Sequence, residues 1–165
     1  MEKHLHIVCF TLPYPVNYGG VFDLFHKLEA LSNRGIKIHL HCFLYNNAKP
    51  TKVLKAFCES VHYYKRSKSL LNFFSPLPFI VAGRRNKTLL NNLLKDDYPI
   101  LIEGIQCTYL LNDNRFTNRI KSVRIHNIES TYYTELVEYT RSFWEKIYYK
   151  SEAIKLKHYE KAIQK

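Results

Sequence analysis

The sequence predicts an α/β fold: a doubly wound, mainly parallel sheet with helices on both faces. Short apolar runs rich in strand formers alternate with stretches of helical periodicity along the chain, the pattern of a parallel sheet covered by helices. The first two strand-like runs are joined by one amphipathic helix, which makes a βαβ unit with a right-handed crossover. A later run, Tyr98 to Gly104 (YPILIEG), is apolar without alternation, as expected for a central parallel strand buried on both faces.

Taken in order, Leu5 to Thr11 (LHIVCFT) is a strand pattern that Pro13, Pro15, Asn17, Gly19 and Gly20 break. Val21, Leu24, Phe25, Leu28 and Leu31 then recur at spacings of three and four, one apolar face of a helix. Gly35, just after Asn33-Arg34, is its C-terminal cap. Ile36 to Phe43 (IKIHLHCF) alternates, with Ile36, Ile38, Leu40 and Cys42 on one face and Lys37, His39 and His41 on a less buried one. Lys52 to Ser60 reads as a helix and Val61 to Tyr64 as a third short strand. Lys65 to Arg85 is irregular: a basic cluster (Lys65, Arg66, Lys68), then LLNFF, then Pro76 and Pro78, read as a short helix and a loop. Lys87 to Lys95 is helical with a stripe of Leu89, Leu90, Leu93 and Leu94, and Asp96-Asp97 ends it. Cys107 to Leu111 adds a helical turn, Ser122 to His126 a further strand, and Glu129 to Tyr139 a further helix. From Phe143 a long basic helix runs to the last residue, with Trp144, Ile147, Tyr148, Ile154, Tyr159 and Ile163 as its apolar face.

A chain of 165 residues suits one domain and can bury a core without disulfide or metal staples. With 46% hydrophobic and 15% aromatic residues, disorder is excluded. Lysine and arginine number 25 against 14 acidic residues, a balance of +11 that favours an anionic partner: a nucleic acid, an anionic bilayer or a phosphorylated substrate. Cys9, Cys42, Cys58 and Cys107 form no C-x-x-C pair, and Cys9 and Cys42 sit in apolar runs as small hydrophobes. They point to a reducing, cytoplasmic setting. Met1-Glu2-Lys3-His4 leads straight into a strand, so no signal peptide is read, and no apolar run approaches the roughly 20 residues that span a bilayer.

In a doubly wound sheet, ligands bind at the carboxyl ends of the strands, near the point where the strand order reverses. Three stretches fall there. Pro13 to Gly20 brings Asn17 and two adjacent glycines, Gly19 and Gly20, to a helix start; this either seats an anion against free N–H groups or only makes a tight turn. Glu103-Gly104 puts a carboxylate at the end of the central strand, able to bind a hydroxyl, act as a base or cap a turn. Arg124 to Glu129 puts His126 and Asn127 at a strand end, with His126 turned away from Val123 and Ile125; the histidine either meets a bound ligand or only satisfies the local structure, as lone histidines more often do. G-x-G-x-x-G and G-x-x-x-x-G-K-[ST] are absent, which argues against dinucleotide and P-loop sites. His39-x-His41 lacks a third ligand at a suitable spacing, so no metal site is expected.

Three segments, in this order, resemble glycosyltransferase family 4. HIVCFTLPYPVNYGGVFDLFHKLEALSNRGIKIHLHCF looks like the family's opening strand, Pro-x-Pro loop, Gly-Gly helix start and second strand. YPILIEGIQCTYLL is similar to its mid-domain strand, and VRIHNIESTYY with the basic, tyrosine-rich helix after it is similar to its Arg-x-His-Asn-x-Glu stretch. The resemblance implies one Rossmann-like half, the N-terminal acceptor side, of a GT-B fold. A second domain, which binds the nucleotide-sugar and carries Glu-x7-Glu, has no counterpart in these 165 residues. It implies retaining transfer of a hexose or mannose-like sugar from a nucleotide-diphosphate sugar to a glycan or lipid-linked acceptor, with no resident cofactor or metal. Gly19 and Gly20 match the glycine loop near the donor diphosphate and His126 matches the histidine that touches the sugar or acceptor hydroxyl. Asn127 and Glu129 match the motif around it, and Glu103 stands where the family carries varied polar residues.

Two other classes compete. A non-enzymatic phosphate- or nucleic-acid-binding α/β module would also use the basic surface, although no nucleic-acid-binding signature is present and no nucleic acid is expected. A peripheral membrane protein would place Lys65, Arg66 and Lys68 beside Leu70, Leu71, Phe73 and Phe74 on anionic lipid, at the inner face of the cytoplasmic membrane. This second class is compatible with sugar transfer to a lipid-linked acceptor.

Overall fold

A computed structural model describes residues 2–17, 19–45 and 48–164; Tyr18 of the proline–glycine loop and the last residue of the basic helix lie outside them. Five parallel strands form one sheet: β1 (Lys3–Cys9), β2 (Ile36–Leu44), β3 (Ser60–Lys65), β4 (Ile100–Glu103) and β5 (Lys121–Arg124), in the order β3-β2-β1-β4-β5. The order reverses between β1 and β4, and their register sets Cys9 beside Glu103, which in turn lies beside Arg124 of β5. The helices are α1 (Gly19–Asn33), α2 (Phe79–Ala82), α3 (Lys87–Leu93), α4 (Glu129–Tyr139) and α5 (Phe143–Ile163). The doubly wound fold is therefore the one the alternation predicts.

Period-two alternation gives the sheet two apolar faces. Ile7, Cys9, Ile38, Leu40 and Cys42 pack against Leu24 and Leu28 of α1 on one face. Val8, Phe43, Ile100 and Ile102 pack against Leu89 and Leu93 of α3 and Phe116 on the other. Gly35, at φ +76°, ends α1 in the left-handed region that favours glycine. All four thiols are free, and burial pushes the Cys58 and Cys107 thiols up to about 12. They behave as apolar fillers rather than nucleophiles.

Three readings need correction. The stretch from Lys52 to Ser60 forms only a 3-10 turn, Val53–Ala56, because Ser60 already pairs with His39 in the sheet and too few residues remain for a helix. In α3, Leu90 is only half-buried and Leu94 lies past the helix end, so Leu89 and Leu93 carry its contact. The face of β2 carrying Lys37, His39 and His41 is the less buried one at Lys37 and His39, but His41 on it is fully buried. His6 Nδ1 lies 2.8 Å from His41 Nε2, His6 Nε2 lies 2.8 Å from Asp96 Oδ1, and His41 Nδ1 lies 2.8 Å from the Tyr64 hydroxyl. Asn92 Nδ2 donates to that hydroxyl over 3.0 Å. An ionised carboxylate at one end accepts only, and an amide N–H at the other end donates only. The chain therefore closes with one assignment, both histidines neutral and protonated on Nε2.

The long helix also differs from its sequence reading. Trp144, Ile147 and Ile154 are exposed, while Glu152, Leu156, Tyr159 and Glu160 are buried. Leu156 and Tyr159 pack with Ile80, Val81, Ile105 and Tyr133. The two carboxylates serve helix starts, whose first N–H groups lack intrahelical partners. Glu152 Oε2 accepts the Phe79 N–H of α2 at 2.5 Å, and Glu160 accepts the Ser130 N–H at 3.1 Å and its hydroxyl at 2.5 Å in α4. In this way α5 fixes the helix that follows the His126 loop.

The histidine chain makes stability depend on acid. Burial holds His6 down from its ordinary 6.5 to about 4 and His41 down to about 2. Above pH 6.5 both the folded and unfolded states are neutral at these sites; below it, only the unfolded chain takes up protons. Stability is therefore full above about 6.5 and falls as the pH drops toward about 4. Urea unfolding followed from neutral pH downward should lose on the order of 1 kcal/mol per buried histidine per pH unit. A midpoint that does not move across that window would count against neutral, buried histidines.

Candidate functional site

The carboxyl ends of β1, β4 and β5 and the first turns of α1 meet at the reversal of strand order. Glu103, the last residue of β4, is fully buried. Its Oε1 accepts from Lys27 Nζ at 2.5 Å, its Oε2 lies 2.9 Å from His126 Nε2, and Arg124 Nη1 stands 3.9 Å away. Arg124 also forms a two-pronged pair with Asp23 of α1, one prong at 3.2 Å, and Asp23 lies 3.6 Å from Lys27 one turn on. A carboxylate removed from water costs several kcal/mol unless cations meet it. Here an ammonium and an imidazole meet it directly, and a guanidinium lies just beyond.

The geometry assigns His126 its tautomer. A carboxylate accepts only, so Nε2 carries the proton given to Glu103, and Nδ1 is left with a free lone pair. Nδ1 makes no hydrogen bond among the described residues, and the side chain is 23% exposed. The Phe10 ring meets the imidazole edge-on, 6.3 Å between centroids. An imidazole held by a buried carboxylate in one tautomer can accept a hydrogen bond or a proton from a hydroxyl placed beside it. Gly104, at φ +85°, makes the turn that follows Glu103; a Cβ there would come within 2.8 Å of the Phe10 ring. Phe10 and the strand end can thus approach only if that residue is glycine.

Beside this pair lies a cavity of about 230 Å³ between Phe10, Thr11, Arg84, Gln106, Glu129 and Tyr133, with Tyr45, Ile80 and Tyr132 at its walls. Arg84 is buried and donates to the carbonyls of Ile80 (2.8 Å) and Phe10 (3.2 Å). It has no carboxylate within ion-pair distance among the described residues. Gln106 gives its Nε2 hydrogen to Glu129 at 3.1 Å and keeps a buried Oε1 without a partner. Burial raises the Glu129 carboxyl above its ordinary value despite that hydrogen bond. A wider groove of about 1000 Å³ between α3 and residues 105–116 shares no residue with the Glu103–His126 pair.

The structure thus brings together His126 and Glu103, two residues picked from separate strand ends, and sets Glu129 in the adjoining cavity. Gly19 and Gly20 open α1 and are exposed; a Cβ on Gly19 would meet nothing within 4 Å, so packing does not require glycine there. Asn17 and Asn127 are exposed on the loops at the rim. Sequence reasoning passed over Lys27, Asp23, Arg84 and Gln106. For Asp23 and Lys27 a signal existed, an i, i+4 charge pair near the start of an apolar helix; for Arg84 and Gln106 no local pattern marks the role.

Fold and site define a class: a Rossmann-like α/β domain with a polar site at its switch point. No family model matches the chain. It is 29% identical over 163 residues to an uncharacterized 44.6 kDa protein in the cps region of Klebsiella pneumoniae, covering 95% of this chain and 42% of that protein. The chain therefore spans less than half the length of this relative. The crystal structure of phenylacrylic acid decarboxylase from Aquifex aeolicus aligns over 94% of this chain and 97% of that one, with 16% identity and a TM-score of 0.31. At that score the likeness carries no weight.

If Glu103 is the buried centre of the charge cluster, the two carboxylates should differ sharply on removal. Glu103→Ala leaves Lys27 and His126 without their partner and should cost about 3–5 kcal/mol in denaturant unfolding. Asp23→Ala, at a half-exposed pair, should cost no more than about 1 kcal/mol. Equal losses would show that the cluster is merely a surface network.

Proposed function

We propose that this chain is the acceptor-side domain of a retaining glycosyltransferase. The reaction would move a hexose or mannose-like sugar from a nucleotide-diphosphate sugar to a glycan or lipid-linked acceptor. The observation that carries the reading is the buried Glu103 holding His126 in one tautomer, 2.9 Å away, at the strand ends beside the point where strand order reverses. The ordered resemblance of the glycine loop, the mid-domain strand and the His-Asn-x-Glu stretch supports it. We take a polysaccharide-building setting as part of the proposal, in line with the relative in a cps region.

Each group has a task in this reading. Nδ1 of His126 accepts a hydrogen bond from a hydroxyl of the transferred sugar or of the acceptor, and Glu103 keeps the ring turned toward it. Gly19 and Gly20 open α1, where backbone N–H groups and the helix dipole favour the developing charge of a leaving diphosphate. The cavity beside Phe10 seats the acceptor, with Arg84, Gln106 and Glu129 as polar contacts and Tyr132 and Tyr133 as walls. A partner domain holds the nucleotide; this chain orients the acceptor and keeps water from it.

The test is transfer of labelled sugar from a panel of nucleotide-sugars, measured with this domain joined to its nucleotide-sugar domain. His126→Ala should lower kcat/KM of the folded protein by about 10²–10³-fold, beyond any loss of melting temperature from taking a partner from the buried Glu103. Gly19→Val should likewise reduce turnover while the domain stays folded, because the added side chain meets ligand rather than protein. A destabilised His126→Ala protein with normal kinetics would remove the histidine from the site.

A further inference from the structure

The 3-10 turn Leu70–Phe74, which follows β3, exposes three large apolar side chains at once: Leu70 by 72%, Leu71 by 77% and Phe74 by 87%. The turn is nonetheless firmly held. Ser69 Oγ accepts the Leu71 N–H at 3.3 Å. The Phe73 ring stacks on Phe79 with centroids 4.6 Å apart and meets Tyr148 of α5 edge-on at 5.2 Å. The Phe73 carbonyl accepts from Lys155 Nζ at 2.8 Å. One aromatic thus anchors the turn while its neighbours stand out as a knob. Trp144, 76% exposed, lies one turn before Tyr148 on the same stripe of α5.

The sequence on either side of the knob is one-signed. From Ser60 to Lys95 the sequence holds seven lysines and arginines (Lys65, Arg66, Lys68, Arg84, Arg85, Lys87 and Lys95) and no aspartate or glutamate. Lys65 and Lys68 are exposed at the foot of the turn, and Arg66 lies over the Phe79 ring, 5.4 Å from its centroid. Glu152 of α5 is buried and already shared between Lys155 and the Phe79 N–H.

From this juxtaposition we propose that the Leu70–Phe74 knob inserts into the surface of an anionic lipid bilayer while the cations at its base meet lipid phosphates. Aliphatic side chains that project beyond a basic ring match the layering of a bilayer, apolar below and anionic above. A nucleic acid would use the cations but leaves exposed leucines without a partner. Attachment of this kind is peripheral, since no helix among the described residues is long and apolar enough to cross a membrane. The proposal is independent of sugar transfer and stands or falls on binding alone.

Flotation of the 165-residue chain with vesicles of phosphatidylglycerol and phosphatidylcholine, against vesicles of phosphatidylcholine alone, tests it. Binding is expected with the anionic vesicles and is expected to weaken with added salt. Leu71→Ser with Phe74→Ser should reduce it by about tenfold or more at unchanged melting temperature, since both side chains are exposed. Lys65→Glu with Lys68→Glu should do the same. Lys3→Glu with Arg34→Glu makes an equal charge change at the opposite end of the sheet and should reduce binding far less. The proposal is overturned if anionic vesicles are not bound. It is also overturned if the serine variant binds as well as the parent, or if both charge pairs act alike. Sedimentation velocity supplies another refutation: a dimer of the parent chain that the serine variant loses, without vesicle binding, would assign the knob to a second copy.

Discussion

A carboxylate at the end of the interior strand β4, with no access to water, has to be satisfied by the groups around it, and much of the carboxyl-end edge of the sheet is arranged to do so. Lys27 reaches Glu103 from α1, His126 returns to it from the loop after β5, and Arg124 links it to Asp23. Two segments distant in sequence, α1 and the end of β5 with its loop, are thereby tied to one side chain. The same tie that offsets the burial of Glu103 gives His126 its tautomer and leaves its other ring nitrogen without a partner among the described residues. Stability and site geometry therefore share a cause, and a substitution at Glu103 acts on both.

The same logic recurs away from the site. His6 and His41 are buried on the sheet because Asp96, Tyr64 and Asn92 complete a chain of hydrogen bonds with a single direction. Asp96 would be raised by burial, but the His6 hydrogen bond, the Tyr98 N–H and the Arg119 charge outweigh that and hold it below its ordinary range. Glu152 and Glu160 of α5 are buried because each completes the first turn of another helix. The buried acids and histidines Glu103, Glu152, Glu160, His6 and His41 thus act as internal fasteners.

The candidate site was legible in part. Glu103 ends β4 and His126 follows β5 by two residues, and both stood out because a doubly wound sheet collects strand ends on one edge. Their contact was not legible, since residues 103 and 126 lie on different strands and nothing local says that both side chains turn the same way. Arg84 follows a four-residue helix in the stretch of least regular pattern, and only packing places it under Phe10. The α5 face was misread for a related reason. Its apolar residues are spread around the helix, and the side actually buried is the one whose glutamates find helix starts to cap.

Alternation of apolar runs with helical periodicity was enough, by itself, to determine the fold class, the βαβ opening and α4. These are properties of nearest neighbours along the chain: side-chain period, turn residues and caps. The tertiary structure alone decided which polar groups are buried and with whom. The charge cluster at Glu103, the neutral histidine chain and the glutamate caps each join residues from separate elements, and a buried polar group becomes tolerable only when its partner arrives in space.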